Sequence, residues 1–157
     1  MIIKQISIFL ENKPGELSRP AKLLAKAHLN ILTLCLADTQ DFGILRIIVR
    51  EWEKAKALLE KNGFTVRVND MVALEVQDRP GGLAAILEVV EKAGVNLEYM
   101  YGFTLSKAGK GILAFRFDNP EAAVTALSRK GLQPVGGLDL FERSTKVAVK
   151  GATKKTA

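Results

Sequence analysis

The chain of 157 residues is written twice. Asn12-Lys13-Pro14-Gly15-Glu16-Leu17 returns 66 residues later as Asp78-Arg79-Pro80-Gly81-Gly82-Leu83. Asn30-Ile31 returns at the same shift as Asn96-Leu97. Gly43 and Gly111, like Gly63 and Gly131, are 68 residues apart, so the second copy has gained two residues in its middle. A repeat of this kind calls for two structural units of about 70 residues each. Units so small have little core of their own, so they should pack together or pair with another chain. The expected boundaries are residues 1–69 and 70–146, followed by a basic tail at 147–157. Duplication also suggests two related pockets rather than one catalytic centre.

Hydrophobic spacing sets the order of elements within each copy. Ile6, Ile8 and Leu10 alternate, which predicts a strand over Ile2 to Leu10. Turn chemistry follows at Asn12 to Gly15. From Gly15 a helix carries Leu17, Ala21, Leu24 and Ala27 on one face, with Pro20 near its start, where a missing N–H costs least. Strands are expected at Asn30 to Ala37 and Phe42 to Val49, separated by a turn at Asp38 to Asp41. A helix over Glu51 to Asn62 stops at Gly63, and Phe64 to Val68 is the fourth strand. The second copy repeats this order. A strand at Met71 to Val76 leads to a helix bearing Leu83, Ile86, Leu87, Val90 and Ala93, which ends at Gly94. Strands at Asn96 to Leu105 and Gly111 to Phe117 flank a turn at Ser106 to Lys110. Asn119-Pro120 reads as an N-cap with proline at the first helical position, and Gly131 stops that helix. Leu132 to Phe141 is expected as the last strand, broken at Gly136-Gly137. The class is therefore α+β: two ferredoxin-like βαββαβ units, each an antiparallel sheet with both helices on one face.

Composition narrows the function classes. A hydrophobic content of 48% fits a folded globular chain and not a disordered one. No apolar run is long enough to cross a membrane, and the N-terminus lacks a signal-peptide layout, so a cytoplasmic setting is expected. Cys35 stands alone, cannot form an internal disulfide, and reads as a small buried hydrophobe. Of the net charge of +6, four positive charges are Lys146, Lys150, Lys154 and Lys155, which leaves +2 for the rest. The tail therefore reads as solvated and disordered, and nucleic-acid binding is not expected. Catalytic signals are absent. The one histidine, His28, sits near a helix end, opposite Gly94 in the repeat. No Cys/His pair has metal-ligand spacing, Gly109-Lys110 lacks the rest of a phosphate loop, and no nucleophile elbow occurs. Neither catalysis, a metal nor a cofactor is expected.

The repeated loop carries the positive signal. Asn12 or Asp78 can bond turn amides, proline fixes one dihedral, and glycine permits another that a side chain would resist. The helix start beyond it presents unpaired N–H groups and partial positive charge, suited to a carboxylate. Asp78-Arg79-Pro80-Gly81-Gly82-Leu83-Ala84, followed by Ala93-Gly94-Val95-Asn96-Leu97, resembles the signature of ACT domains. The first copy matches it more loosely, through Asn12 to Leu17 and Ala27-His28-Leu29-Asn30-Ile31. The resemblance covers the chain to about Lys146 and implies a stand-alone tandem pair of regulatory, amino-acid-binding units.

In such domains ligands often lie between the first strand–helix loop of one unit and the second strand of a neighbour. The resemblance thus implies sites at Asn12, Pro14, Gly15, Glu16 and Leu17 with Asn30, and at Asp78, Pro80, Gly81, Gly82 and Leu83 with Asn96. Glu16 stands where Gly82 stands, and its carboxylate would crowd or repel a ligand carboxylate, so the second pocket is favoured. The implied partners are an amino acid, a second copy of the chain in a homodimer, and a regulated enzyme or transcription factor, with no membrane. On the neighbouring strand Tyr99 and Tyr101 share one sheet face, read as packing.

Two rival readings use the same fold order. An RNA-recognition motif would need stacking aromatics in Lys110 to Phe117, and Ile112 and Ala114 stand there instead. A protein-docking module without a ligand is the other.

Overall fold

The computed structural model describes residues 2–38, 41–107 and 109–142. The expected tail at 147–157 and the tips of both hairpin turns, residues 39–40 and 108, lie outside the described residues. Two compact units divide the chain, one built from Lys4–Asn69 and the other from Asp70 onward together with the first residues of the chain.

The first unit contains β1 (Ile2–Glu11), α1 (Ser18–Lys26), β2 (Ile31–Asp38), β3 (Phe42–Val49), α2 (Trp52–Lys61) and the start of β4 (Thr65–Gln77). Its strands lie in the order β2-β3-β1-β4. Antiparallel register sets Ile6 against Ile47, Ile8 against Leu45 and Leu10 against Gly43. The period-2 alternation of β1 thereby aims Ile6, Ile8 and Leu10 at one face, where they form a core with Leu24, Leu29 and Leu59. Each such side chain contributes about 1.5–3 kcal/mol by leaving water. Pro20 falls at the third position of α1, still within the turn whose N–H groups have no helical partner. Cys35 is half-buried on β2, so it is more exposed than a core hydrophobe would be.

The second unit continues β4 and adds α3 (Gly82–Lys92), β5 (Leu97–Lys107), β6 (Lys110–Phe117) and α4 (Pro120–Arg129), with strand order β4-β6-β5. Its core joins Val72, Leu74 and Val76 of β4 to Ile86, Val90, Ala123 and Leu127 of the helices. Phe115 and Phe117 stack there with ring centroids 5.8 Å apart.

The expected strands differ from what the chain forms in two places, and α1 starts later than expected. The strands expected at Phe64 to Val68 and Met71 to Val76 are one uninterrupted strand, β4, of 13 residues. The strand expected at Leu132 to Phe141 shrinks to a single bridge between Pro134 and Leu74, with the Val135 N–H donating to the Ala73 carbonyl at 2.8 Å. A helical turn over residues 137–142 follows and buries Leu140. Pro134 has no N–H to extend a ladder, and the Gly136-Gly137 pair weakens any extended segment beyond it.

Each of α1 to α4 ends in the same hydrogen-bond pattern. In α1, Leu29 N–H reaches the Leu24 carbonyl and His28 N–H reaches that of Ala25. This is a Schellman cap, and its pivotal residue is left-handed. Glycine fills that place in α2, α3 and α4, whereas α1 uses His28 at φ +56°.

Candidate functional site

The repeated hexapeptide folds into the same turn in both copies. Glu16 N–H donates to the Lys13 carbonyl at 3.3 Å, and Gly82 N–H to that of Arg79 at 3.0 Å. Proline occupies the second position of each turn, and Gly15 and Gly81 the third, at φ +90° and +87°. These are type II turns, in which the third residue must be left-handed and glycine meets that demand without strain. A tighter turn precedes each one: Lys13 N–H bonds the Glu11 carbonyl and Arg79 N–H that of Gln77, both at 2.9 Å. Each loop is also tied to the hairpin of its own unit. Asn12 N–H donates to the Asp41 carbonyl at 3.0 Å, and Asp78 N–H to that of Gly109 at 2.9 Å. The backbone at this point is therefore fixed on both sides.

The copies diverge one residue after the glycine. A Cβ on Gly82 would lie 2.1 Å from the Gln77 carbonyl oxygen, so no side chain fits while α3 starts there. The first copy has Glu16 in that place, and α1 begins only at Ser18, two positions later in the repeat. The Glu16 carboxylate turns to Arg19, whose Nη1 donates to its two oxygens at 2.8 and 3.1 Å. The Arg19 guanidinium in turn lies 5.0 Å from the centre of the Phe64 ring, a cation–π contact. The chain thus brings its own carboxylate to the mouth of α1, where the helix dipole favours negative charge. Neither α1 nor α3 has an acidic residue in its own first turn, so Glu16, just ahead of α1, is what sets the two helix starts apart.

A cleft of about 440 Å³ opens beside the second loop. Val76, Gln77, Asp78, Arg79, Pro80, Leu83, Gly111 and Leu113 line it. Antiparallel pairing explains the set, because β4 and β6 oppose Val76 to Gly111 and Leu74 to Leu113. At Gly111 no atom stands within 4 Å of where a Cβ would project.

Of the residues expected from sequence, Asp78, Pro80 and Leu83 line this cleft, and Gly81 and Gly82 shape the turn beside it. Asn96 lies outside the lining; its backbone N–H bonds the Asp118 carboxylate at 3.0 Å and its carbonyl accepts from Asp118 N–H at 3.1 Å. In the first copy Asn12, Pro14, Gly15, Leu17 and Asn30 are exposed and Glu16 is half-buried. Tyr99 and Tyr101 pair with Arg116 and Ala114 on the sheet face away from α3 and α4, and neither lines the cleft. Val76, Gln77, Arg79, Gly111 and Leu113 are lining residues that sequence reasoning missed. The repeated Gly43/Gly111 pair was a usable signal for one of them. The others follow only from strand register.

Comparison with known proteins places these features in context. A family model described as an ACT domain pair matches residues 1–143. Protein BT0572 from Bacteroides thetaiotaomicron is 38% identical in sequence and superposes with a TM-score of 0.83, over 90% of this chain and 96% of that one. The ligand-free regulatory subunit of aspartate kinase from Thermus thermophilus is similar at 16% identity and a TM-score of 0.60, covering 80% of this chain and 91% of that one. Aspartate kinase from Synechocystis matches 86% of this chain with 27% of its own length, at 16% identity and a TM-score of 0.57. No curated protein sequence matches the chain.

Proposed function

As the chain belongs to the family of ACT domain pairs, we propose that it is a non-catalytic regulatory protein that binds an amino acid at the Arg79–Leu83 loop, against a neighbouring ACT unit. The observation that carries this reading is the inequality of the two loops. The second has an open cleft and a glycine forced at the helix start. The first carries the Glu16–Arg19 pair instead. A free carboxylate would meet the helix start and Arg79 at the second loop, and the Glu16–Arg19 pair at the first.

Binding would act by favouring one assembly or docked arrangement over another, because a ligand shifts an equilibrium only by its differential affinity for the two states. The proposed assembly is a homodimer, and the proposed target is an enzyme or transcription factor in the cytoplasm. Among the described residues no helix is long and apolar enough to cross a membrane.

The RNA alternative is disfavoured by burial. Ile112 and Ala114, which hold the base-stacking positions, are only 5% and 0% exposed. Stacking on exposed aromatics is worth roughly 1–3 kcal/mol per base, and neither position can supply it.

Thermal unfolding against each of the twenty amino acids, with single-stranded RNA as control, tests the proposal. A ligand at 100 times its dissociation constant adds about 2.7 kcal/mol of stability. For a chain of this size that raises the midpoint by roughly 5–10 °C. A rise confined to related amino acids supports the reading; a rise with RNA alone, or none at all, defeats it.

A further inference from the structure

The lining of the cleft carries information about its ligand that the loop motif does not. Two charged residues line it, Asp78 and Arg79, one of each sign and adjacent in the chain. The other side chains are apolar, namely Val76, Pro80, Leu83 and Leu113, apart from the neutral Gln77. The main-chain end of an α-amino acid is a zwitterion, with an ammonium suited to Asp78 and a carboxylate suited to Arg79, whose guanidinium matches carboxylate geometry. Once those two charges are used, none of the described lining residues of this unit is a charged partner for the ligand side chain. A charged side chain pressed against this wall would lose water without gaining a partner from it. A volume of about 440 Å³ leaves room for a large group, and the apolar wall rewards one that sheds water.

We propose that the ligand is an α-amino acid with a large apolar side chain, aliphatic or aromatic. Arg79 is its carboxylate anchor, and Leu83 and Leu113 are its specificity-determining residues. This inference rests on the amino-acid reading above and narrows it to one chemical class.

Titration calorimetry on the full chain with leucine, phenylalanine, lysine and aspartate tests it, with leucinamide as a probe that lacks the carboxylate. Leucine or phenylalanine should bind at least about tenfold more tightly than lysine or aspartate. Arg79→Gln should weaken binding of the favoured amino acid by about tenfold or more. The same variant should leave the weaker binding of leucinamide unchanged, a contrast that a merely structural role would not produce. Arg79 is exposed, so this variant should fold normally. Leu113→Gln should erode the preference for apolar ligands.

Tight binding of lysine or aspartate with none of leucine or phenylalanine would overturn the apolar class and leave the amino-acid reading standing. Failure of all four, together with no thermal response to any of the twenty, would overturn both. Unchanged leucine and phenylalanine affinity in Arg79→Gln would overturn the anchor.

Discussion

At Gly82 a single Cβ separates the two copies. Its forbidden contact is with a backbone carbonyl, which cannot swing aside as a flexible side chain could. Gly82→Ala should therefore destabilise by about 2–3 kcal/mol, as overpacking does. Gly81→Ala meets no atom within 4 Å and carries only the left-handed penalty, about 1–2 kcal/mol. Denaturant midpoints of the two variants should fall in that order. At φ +87° the side chain of Gly81→Val would strain the turn itself, so that variant reports on the loop as well as on the pocket. His28 is the converse case. It adopts φ +56° in a cap that the other helices build with glycine, so His28→Gly should raise stability by about 1 kcal/mol, read from the unfolding midpoint. The turn glycines were legible in the sequence because Pro-Gly chemistry is local. The constraint on Gly82 was not, because it comes from a carbonyl five residues earlier that the fold brings back beside it.

Helix boundaries reflect the same balance of local and distant causes. The start of α4 was readable: Asn119 Oδ1 accepts from Ala122 N–H at 3.0 Å, and Pro120 follows at the first helical position. Asn119→Ala should cost about 1 kcal/mol in chemical denaturation. The start of α1 was placed three residues early, because the pattern of Leu17, Ala21 and Leu24 does not reveal that the turn must finish first. The last strand failed for a comparable reason: apolar content predicted extension, but Pro134 and two glycines left a single bridge. On α3, the Lys92 ammonium hydrogen-bonds Glu88 and, with its charge, holds that carboxyl below its ordinary pKa. The folded value thus lies below the unfolded one. The stability this pair contributes is present above the unfolded value and fades as pH falls through the folded value. Both groups are fully exposed, so salt should screen most of the effect. In an NMR titration, Lys92→Gln should let the Glu88 carboxyl titrate nearer its ordinary range.

At the scale of the whole chain, the repeat was the legible feature. Its 66-residue shift located both turns, and the strand and helix periods gave the order of the elements. That β4 runs unbroken past the boundary of the repeat was hidden, because Asn69 and Asp70 are residue types depleted in strands. The candidate cleft was half legible for a related reason. Asp78, Pro80 and Leu83 belong to the motif, but Leu113 and Gly111 enter the cleft only through the register of β6 on β4. In the proposed reading, duplication left one loop that binds a ligand and one that holds its own carboxylate. Backbone amide shifts followed by NMR during titration with the best-binding amino acid test this directly. The account predicts saturable shifts centred on Val76–Leu83 and Gly111–Leu113, with Asn12–Leu17 unmoved. Shifts centred on Asn12–Leu17, or equal shifts in both loops, would contradict it.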